Sequence, residues 1–194
     1  MSEFAEYAPG RGGPAPPLTE SDGLRIRAAA ERDLARLAPI AAEREGCSLE
    51  QALEGLSRFF GATQAGRALL VLAEIGTDAI GFGKASTFTP PAGSPPNMAP
   101  GGWYLSGVVV SPPYRRRGVG ARLTTTRLAW IAELGGGVAV YYFANARNRV
   151  SIDFHRAFGF TELTRDFSHP HARFEGGPGI LFIRRGPTVI ESLE

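Results

Sequence analysis

The stretch Val108-Val109-Val110-Ser111-Pro112-Pro113-Tyr114-Arg115-Arg116-Arg117-Gly118-Val119-Gly120-Ala121 holds the residues whose types and spacing can do chemistry. A valine-rich strand runs into a turn of arginines and glycines, and the turn opens directly into a helix. Gly118 and Gly120 lack Cβ atoms, so the backbone there can take positive φ and come close to a ligand. The first N–H groups of the helix have no intrahelical partner and converge at the same point, where the helix dipole adds positive potential. Such a turn binds anions, and a pyrophosphate fits it. Arg115, Arg116 and Arg117 add donors and charge. The competing reading is a solvated basic turn that only caps a helix. A dinucleotide fingerprint is excluded, because Leu123 stands where its third glycine belongs and no acidic residue closes the strand ending at Phe143. A P-loop is excluded by the lack of Gly-Lys-Ser/Thr.

A second patch runs Asn145-Ala146-Arg147-Asn148-Arg149-Val150-Ser151-Ile152-Asp153-Phe154-His155-Arg156-Ala157-Phe158-Gly159-Phe160. By residue type alone, Asn148 suits a helix N-cap and Phe154 and Phe160 suit a core. Together the two patches resemble the GNAT superfamily of acyl-CoA N-acyltransferases. Arg115-x-x-Gly118-x-Gly120-Ala121 is similar to its R/Q-x-x-G-x-G/A signature, and Asn148, Phe154, Gly159 and Phe160 match its N-x-x-A-x-x-F-Y-x-x-x-G-F segment. Ser151 replaces the usual alanine, and His155 stands where the family most often has tyrosine. The resemblance covers residues 24 to 185. It implies an α/β, GNAT-type fold: a mixed, mostly antiparallel sheet, flanked by helices, whose central parallel pair splays around the cofactor. It implies acetyl-CoA as acyl donor, with Val108, Val109, Val110, Arg115, Arg116, Arg117, Gly118, Val119, Gly120, Ala121 and Asn148 as cofactor-binding residues. It also implies that the pantetheine arm enters the splay and that the Val108 amide polarises the thioester carbonyl, an oxyanion-type stabilisation.

The activity so implied is N-acetyl transfer to a primary amine by direct attack, with no covalent enzyme intermediate. Cys47, the only cysteine, is far in sequence from both patches and reads as a small buried residue. The departing thiolate needs a proton, which tyrosine usually supplies in this family. His155 can supply it here, since imidazole titrates near neutrality and donates from both nitrogens when protonated. It could instead only wall the pocket. Alignment on the glycine turn puts Tyr104 where the family often carries a glutamate base. Tyr104 and Ser106 share a strand face and could order a water, or a neutral amine needs no base. Glu43, Glu45 and Glu74 are the other carboxylates weighed, each read as a solvated side chain. His169 and His171 flank Pro170 as loop residues, and two histidines do not make a metal site, so no metal is expected. A reading from another class is an acyl-CoA-binding module with reduced or no catalysis, acting as a sensor or docking domain. A nucleic-acid-binding role for Arg115 to Arg117 lacks any basic helix or aromatic interleaving to extend it.

The elements that must position these residues follow from the rest of the chain. Its 194 residues, 43% of them hydrophobic, suit one domain with a substantial core. With 21 basic and 19 acidic residues the net charge is only +2, too weak a field to draw nucleic acid or an anionic membrane. The expected partners are acetyl-CoA and an amine acceptor, with no nucleic acid and no membrane, in a monomer or homodimer. One cysteine allows no internal disulfide, and no signal peptide or long apolar run is visible, so a cytoplasmic location is expected.

Residues 1–23, rich in proline and glycine, read as a flexible tail, 24–185 as the domain and 186–194 as a C-terminal tail. Leu24 to Ala28 predicts a strand, and Leu34, Leu37, Ile40 and Ala41 a helix closed by Gly46. A second helix is expected from Leu49 to Phe60, capped by Ser48, stopped by Gly61 and apolar along Leu49, Ala52, Leu53 and Leu56. Residues 68–74 and 79–88 predict a hairpin across Gly76-Thr77-Asp78. The proline-rich 89–102 is a long loop and a candidate lid. Then come a strand over 103–110, a helix over 120–134, a strand over 138–143 and a helix over 151–158. Two last strands, 160–166 and 180–184, should pair antiparallel. The acceptor pocket is expected from the two N-terminal helices, the proline-rich loop and residues 166–179.

Overall fold

The computed structural model describes residues 16–134, 138–170, 172–174 and 177–186. Its strands are β1 (Leu24–Ala28), β2 (Ala68–Ile75), β3 (Asp78–Phe88), β4 (Gly102–Val110), β5 (Val140–Asn145), β6 (Thr161–Thr164) and β7 (Gly179–Arg184). Its helices are α1 (Leu34–Glu45), α2 (Leu49–Gln64), α3 (Val119–Leu134) and α4 (Arg149–Arg156). One mixed sheet, flanked by helices, carries the strands in the order β1-β2-β3-β4-β5-β7-β6. β4 and β5 run parallel, whereas β1/β2, β2/β3, β5/β7 and β6/β7 are antiparallel. The described residues divide into two bodies, 16–86 with 105–130 and 87–104 with 131–186.

In the first body β2 is buried along almost its whole length, as a nearly continuous apolar run demands. Leu34, Leu37 and Ala41 of α1 and Ala52 and Leu56 of α2 pack in one cluster with Leu70, Leu72, Phe82 and Val109. Ser48 caps α2 reciprocally: its hydroxyl accepts from the Gln51 N–H at 3.2 Å while the Gln51 side chain accepts from the Ser48 N–H at 3.0 Å. Two expectations fail here. Gly61 does not stop α2, which continues to Gln64, because an interior glycine costs only about 1 kcal/mol relative to alanine and does not force a break. Leu49 and Leu53, expected on the apolar face, are 59% and 38% exposed, and the buried stripe narrows to Ala52 and Leu56 with Phe59 and Phe60 half-buried.

Residues 16–23, expected within a loose tail, are ordered. Leu18 is buried, its N–H donates to the Arg117 carbonyl at 2.9 Å, and a 3-10 turn at Glu20–Asp22 brings Glu20 within 3.0 Å of Arg122. One apolar anchor and a main-chain bond suffice to hold so short a segment. Residues 1–15 and 187–194 of the expected tails, and His171, lie outside the described residues.

Four charges knit β1, α1 and β2 together. Asp33 and Glu74, both buried, share Arg27 and Arg36 at 2.6 to 3.1 Å. The Arg27 guanidinium holds both carboxyls below the usual carboxylate range.

In the second body β4 meets β5 at Trp103↔Val140 and Tyr104↔Tyr141, and β5 pairs with β7 from Val140↔Arg184 to Asn145↔Gly179. Tyr104, Tyr141, Leu181 and Ile183 share a core with Ala99. β6 is shorter than expected: it stops at Thr164, where the Thr164 hydroxyl accepts from the Asp166 N–H at 3.0 Å and turns the chain, whereas β7 spans the expected 180–184. The proline-rich loop is stitched down. Ser168 N–H donates to Asn97 O and Ala99 N–H to Ser168 O, both at 2.9 Å, and Asn97 Nδ2 donates to Asp166 Oδ1 at 2.8 Å. Ala99, within this loop, is wholly buried.

Candidate functional site

The glycine-arginine turn is built from the main chain. After β4, Ser111 N–H donates to the Ile80 carbonyl at 2.9 Å and a 3-10 turn spans Pro112–Tyr114. Arg115 then folds back, its Nε donating to the Val110 carbonyl at 2.8 Å. Arg116 at φ 60° and Gly118 at φ 78° both lie in the left-handed region. That conformation is unusual for arginine and natural for glycine. Left-handed residues of this kind occur where backbone N–H groups gather around an anion. Gly118 keeps open space beside it, since a Cβ there would meet only Pro17 Cβ, at 3.8 Å. Gly120 departs from the expectation of positive φ: it lies in the first turn of α3 with ordinary helical backbone. Arg117 Nε donates to the Pro16 carbonyl at 3.3 Å, so this arginine anchors the N-terminal segment as well as charging the turn.

Earlier, inside β4, Gly107 sits at φ 62°, a left-handed backbone that a side-chain-bearing residue adopts only at a cost. It precedes Val108, while Val109 is buried and Val110 half-buried. Behind it Arg127 of α3 is fully buried. Its Nη1 donates to the carbonyls of Lys84 at 2.7 Å and Gly107 at 3.4 Å, Nη2 to Thr124 Oγ1 at 2.9 Å and Nε to Leu123 O at 3.2 Å. Burial pulls its pKa down to about 9. Lys84, the only lysine of the chain, is half-buried with Nζ 5.5 Å from the Phe59 ring centroid and 5.9 Å from that of Phe82. Burial lowers its pKa, and the charge of Glu45 partly opposes that.

In the second body Asn148 caps α4, its side-chain oxygen accepting from the Ser151 N–H at 3.0 Å. His155, half-buried on α4, donates from Nδ1 to the Ser151 carbonyl at 2.8 Å. Its ring stacks on Tyr142 with centroids 3.9 Å apart, and Phe154 and Phe160 meet it edge-on. The carbonyl fixes Nδ1 as the protonated nitrogen of the neutral ring. Tyr104 is buried, stacks on Tyr141 and donates a hydrogen bond from its hydroxyl to the Pro100 carbonyl at 2.7 Å. Burial pushes this phenol well above its ordinary value. His169 packs against Phe88, Tyr104 and Phe143, with centroids 4.4, 5.5 and 5.1 Å away.

The sequence profile of the acetyltransferase (GNAT) family matches residues 33–160. The chain belongs to that family. Acetyl-CoA-dependent acyl transfer is the general activity of GNAT proteins, and the chain is an acyltransferase. Its fold is that of solved GNAT structures. The PaiA N-acetyltransferase of Thermoplasma acidophilum, in complex with coenzyme A, matches with a TM-score of 0.61 and 17% identity over 84% of this chain and 98% of that one. The ribosomal-protein-S18-alanine N-acetyltransferase of Escherichia coli matches at 0.61 and 17%, covering 88% and 99%. A phosphinothricin acetyltransferase of Sinorhizobium meliloti, in complex with acetyl-CoA, matches at 0.60 and 20%, covering 84% and 89%. No curated protein matches the chain by sequence.

For this GNAT chain, Val108 to Ala121 lie in one body, and Tyr104, Asn148 and His155 in the other. Glu74 is removed from the search for a base: it is tied to Arg27 and Arg36 rather than solvated. Glu43 and Glu45 are exposed, and Cys47 is half-buried beside the α1/α2 core. Among the described residues, no group of three or more His, Cys, Asp or Glu side chains is placed to hold a metal, and no helix is long and apolar enough to cross a membrane. Sequence reasoning missed Arg127, Lys84 and the place of His169. Arg127 left a signal, since it interrupts the apolar stripe Val119, Leu123, Leu128 and Ile131 of α3.

Proposed function

We propose that this protein transfers the acetyl group of acetyl-CoA to a primary amine, either on a small molecule or on a protein, by direct attack of the neutral amine on the thioester. The observation that carries this reading is the turn before α3, with Arg116 and Gly118 left-handed, inside a chain that belongs to the GNAT family. The turn's amides and the charges of Arg115, Arg116 and Arg117 grip the pyrophosphate. Val108, Val109 and Val110 present main chain to the pantetheine arm, Val119, Gly120 and Ala121 form the helix start under the phosphates, and Asn148 orders the segment before α4.

The Val108 N–H stabilises the oxyanion that forms when the amine adds. As the tetrahedral intermediate collapses, the C–S bond breaks and CoA leaves as thiolate, which His155 protonates from Nε2. With Nδ1 held by the Ser151 carbonyl, that step requires the imidazolium form. Tyr104 cannot act as a base itself, because its buried hydroxyl stays protonated; it can accept a hydrogen bond from a water, and that water takes the proton that the attacking nitrogen gives up as the amide forms. A cytoplasmic monomer or homodimer, needing no metal, completes the proposal.

The test is release of CoA thiol on incubation with acetyl-CoA and a panel of amines, together with calorimetric titration of acetyl-CoA. Turnover that depends on an amine supports the proposal. Tight binding without turnover by any amine, unaffected by His155→Phe, points instead to an acyl-CoA-binding module. Neither binding nor turnover overturns both.

A further inference from the structure

Arg127 is a cation in a place that stability alone does not favour. It is fully buried, and all four of its hydrogen-bond partners are uncharged: three carbonyls and a hydroxyl. A buried charge without a counter-ion adds less to stability than a neutral side chain of similar volume. The strand beside it is shaped to admit it. A Cβ at Gly83 would stand 2.9 Å from Arg127 Nε and 3.1 Å from Cζ, so only glycine leaves the guanidinium its seat on β3. From that seat Nη1 reaches the carbonyls of Lys84 and Gly107 together.

The Gly107 carbonyl and the Val108 N–H belong to one peptide group. A cationic donor on the oxygen of a peptide draws electron density toward it, makes the N–H on the other end a stronger donor, and fixes the plane in which that N–H points. Gly107, at φ 62°, is also where β4 departs from regular strand geometry, so the direction of this N–H depends on what holds that left-handed residue.

Resting on the assignment of the Val108 amide as the oxyanion donor, we propose that Arg127 is a positioning residue of the acyl-transfer site: by holding the Gly107 carbonyl from inside the fold, it orients and polarises the Val108 N–H that faces the thioester. Its positive charge also lowers the energy of the developing oxyanion in a medium that screens poorly. The burial that depresses its pKa to about 9 still leaves it protonated at neutral pH.

The deciding measurement needs no acceptor: the infrared carbonyl stretch of acetyl-CoA, carbon-13-labelled at the acetyl carbonyl, bound to wild type and to Arg127→Gln, Arg127→Lys and Gly83→Ala. Wild type is expected to lower the stretch relative to free acetyl-CoA. Arg127→Gln should return it toward the free value while acetyl-CoA affinity stays within about threefold, because uniform binding is not what Arg127 supplies. Arg127→Lys, which keeps the charge but not the fork, should fall between the two. With any amine that turns over, kcat should fall about 10- to 100-fold for Arg127→Gln with the KM values little changed. Gly83→Ala displaces the guanidinium without removing it and carries the test if Arg127→Gln does not fold. A wild-type band lowered equally in every folded variant overturns the role of Arg127 alone. A wild-type band that is not lowered overturns the Val108 assignment, and with it the proposal.

Discussion

His155 lies flat on Tyr142, their ring centroids 3.9 Å apart and their planes within 16°, and the Tyr142 hydroxyl beneath it is buried without a hydrogen-bond partner among the described residues. The aromatic floor and the Ser151 carbonyl together leave the imidazole one orientation, with Nδ1 spoken for.

Replacing His155 by phenylalanine keeps the stack and removes the proton. The expected result is a loss of about 100-fold in kcat, the lower range for a general acid, with acetyl-CoA affinity nearly unchanged. Steady-state kinetics beside calorimetry measures both. An unaltered kcat would show that the thiolate takes its proton elsewhere.

Tyr142→Phe should not weaken the fold. An unpartnered buried hydroxyl costs free energy, so its removal is expected to be neutral or to stabilise by about 1 kcal/mol. Thermal melting at fixed pH reads the sign, and a marked drop in Tm would reveal a partner for that hydroxyl.

At Gly118, alanine has space for its Cβ but not the left-handed backbone. A cost of about 1–2 kcal/mol in stability is expected, with acetyl-CoA binding weakened at least tenfold as the anion nest reshapes. Titration of CoA and of 3′-dephospho-CoA against the variant checks that the loss follows the pyrophosphate they share.

The Asp33/Glu74/Arg27/Arg36 cluster sets the acid limit of the fold. Both carboxyls are held below the usual range by Arg27, so their folded pKa values lie under the unfolded value near 4. The stability they contribute is complete above about pH 4–5 and disappears as pH falls through the folded values. Asp33→Asn, which leaves Arg27 and Arg36 only Glu74 to share, should cost about 2 kcal/mol at neutral pH and flatten the acid side of a stability-against-pH curve. Urea unfolding from pH 3 to pH 7 measures both effects.

Asn97 ties the proline-rich loop to Asp166. Asn97→Ala should change the unfolding free energy by no more than about 1 kcal/mol while raising the rate of limited proteolysis between residues 89 and 101. An unchanged cleavage rate would mean that the paired bonds at Ser168 hold the loop alone.

Local order in the chain was sufficient for much of this. A valine run followed by Arg-x-x-Gly-x-Gly can be read without a fold, because strand, turn and helix start are consecutive and each residue's role is set by its neighbours. The Ser48 cap, the Gly76-Thr77 turn and the short helix capped by Asn148 were legible for the same reason. The ends of α2 and β6 were not, since a glycine's helical cost and a strand's length are decided by what packs beside them.

Residues close together along the chain were enough for the family, the order of strands and helices, and the strand, turn and helix start that hold Gly118 and Gly120. Packing alone put Glu74 on Arg27 and Arg36, aimed the Tyr104 hydroxyl as a hydrogen-bond donor at the Pro100 carbonyl, and brought Arg127 to the Gly107 carbonyl. Those facts depend on which carbonyl or charge a folded chain brings within about 3 Å across tens of residues, and hydrogen bonding at that range is set by packing rather than by sequence neighbours.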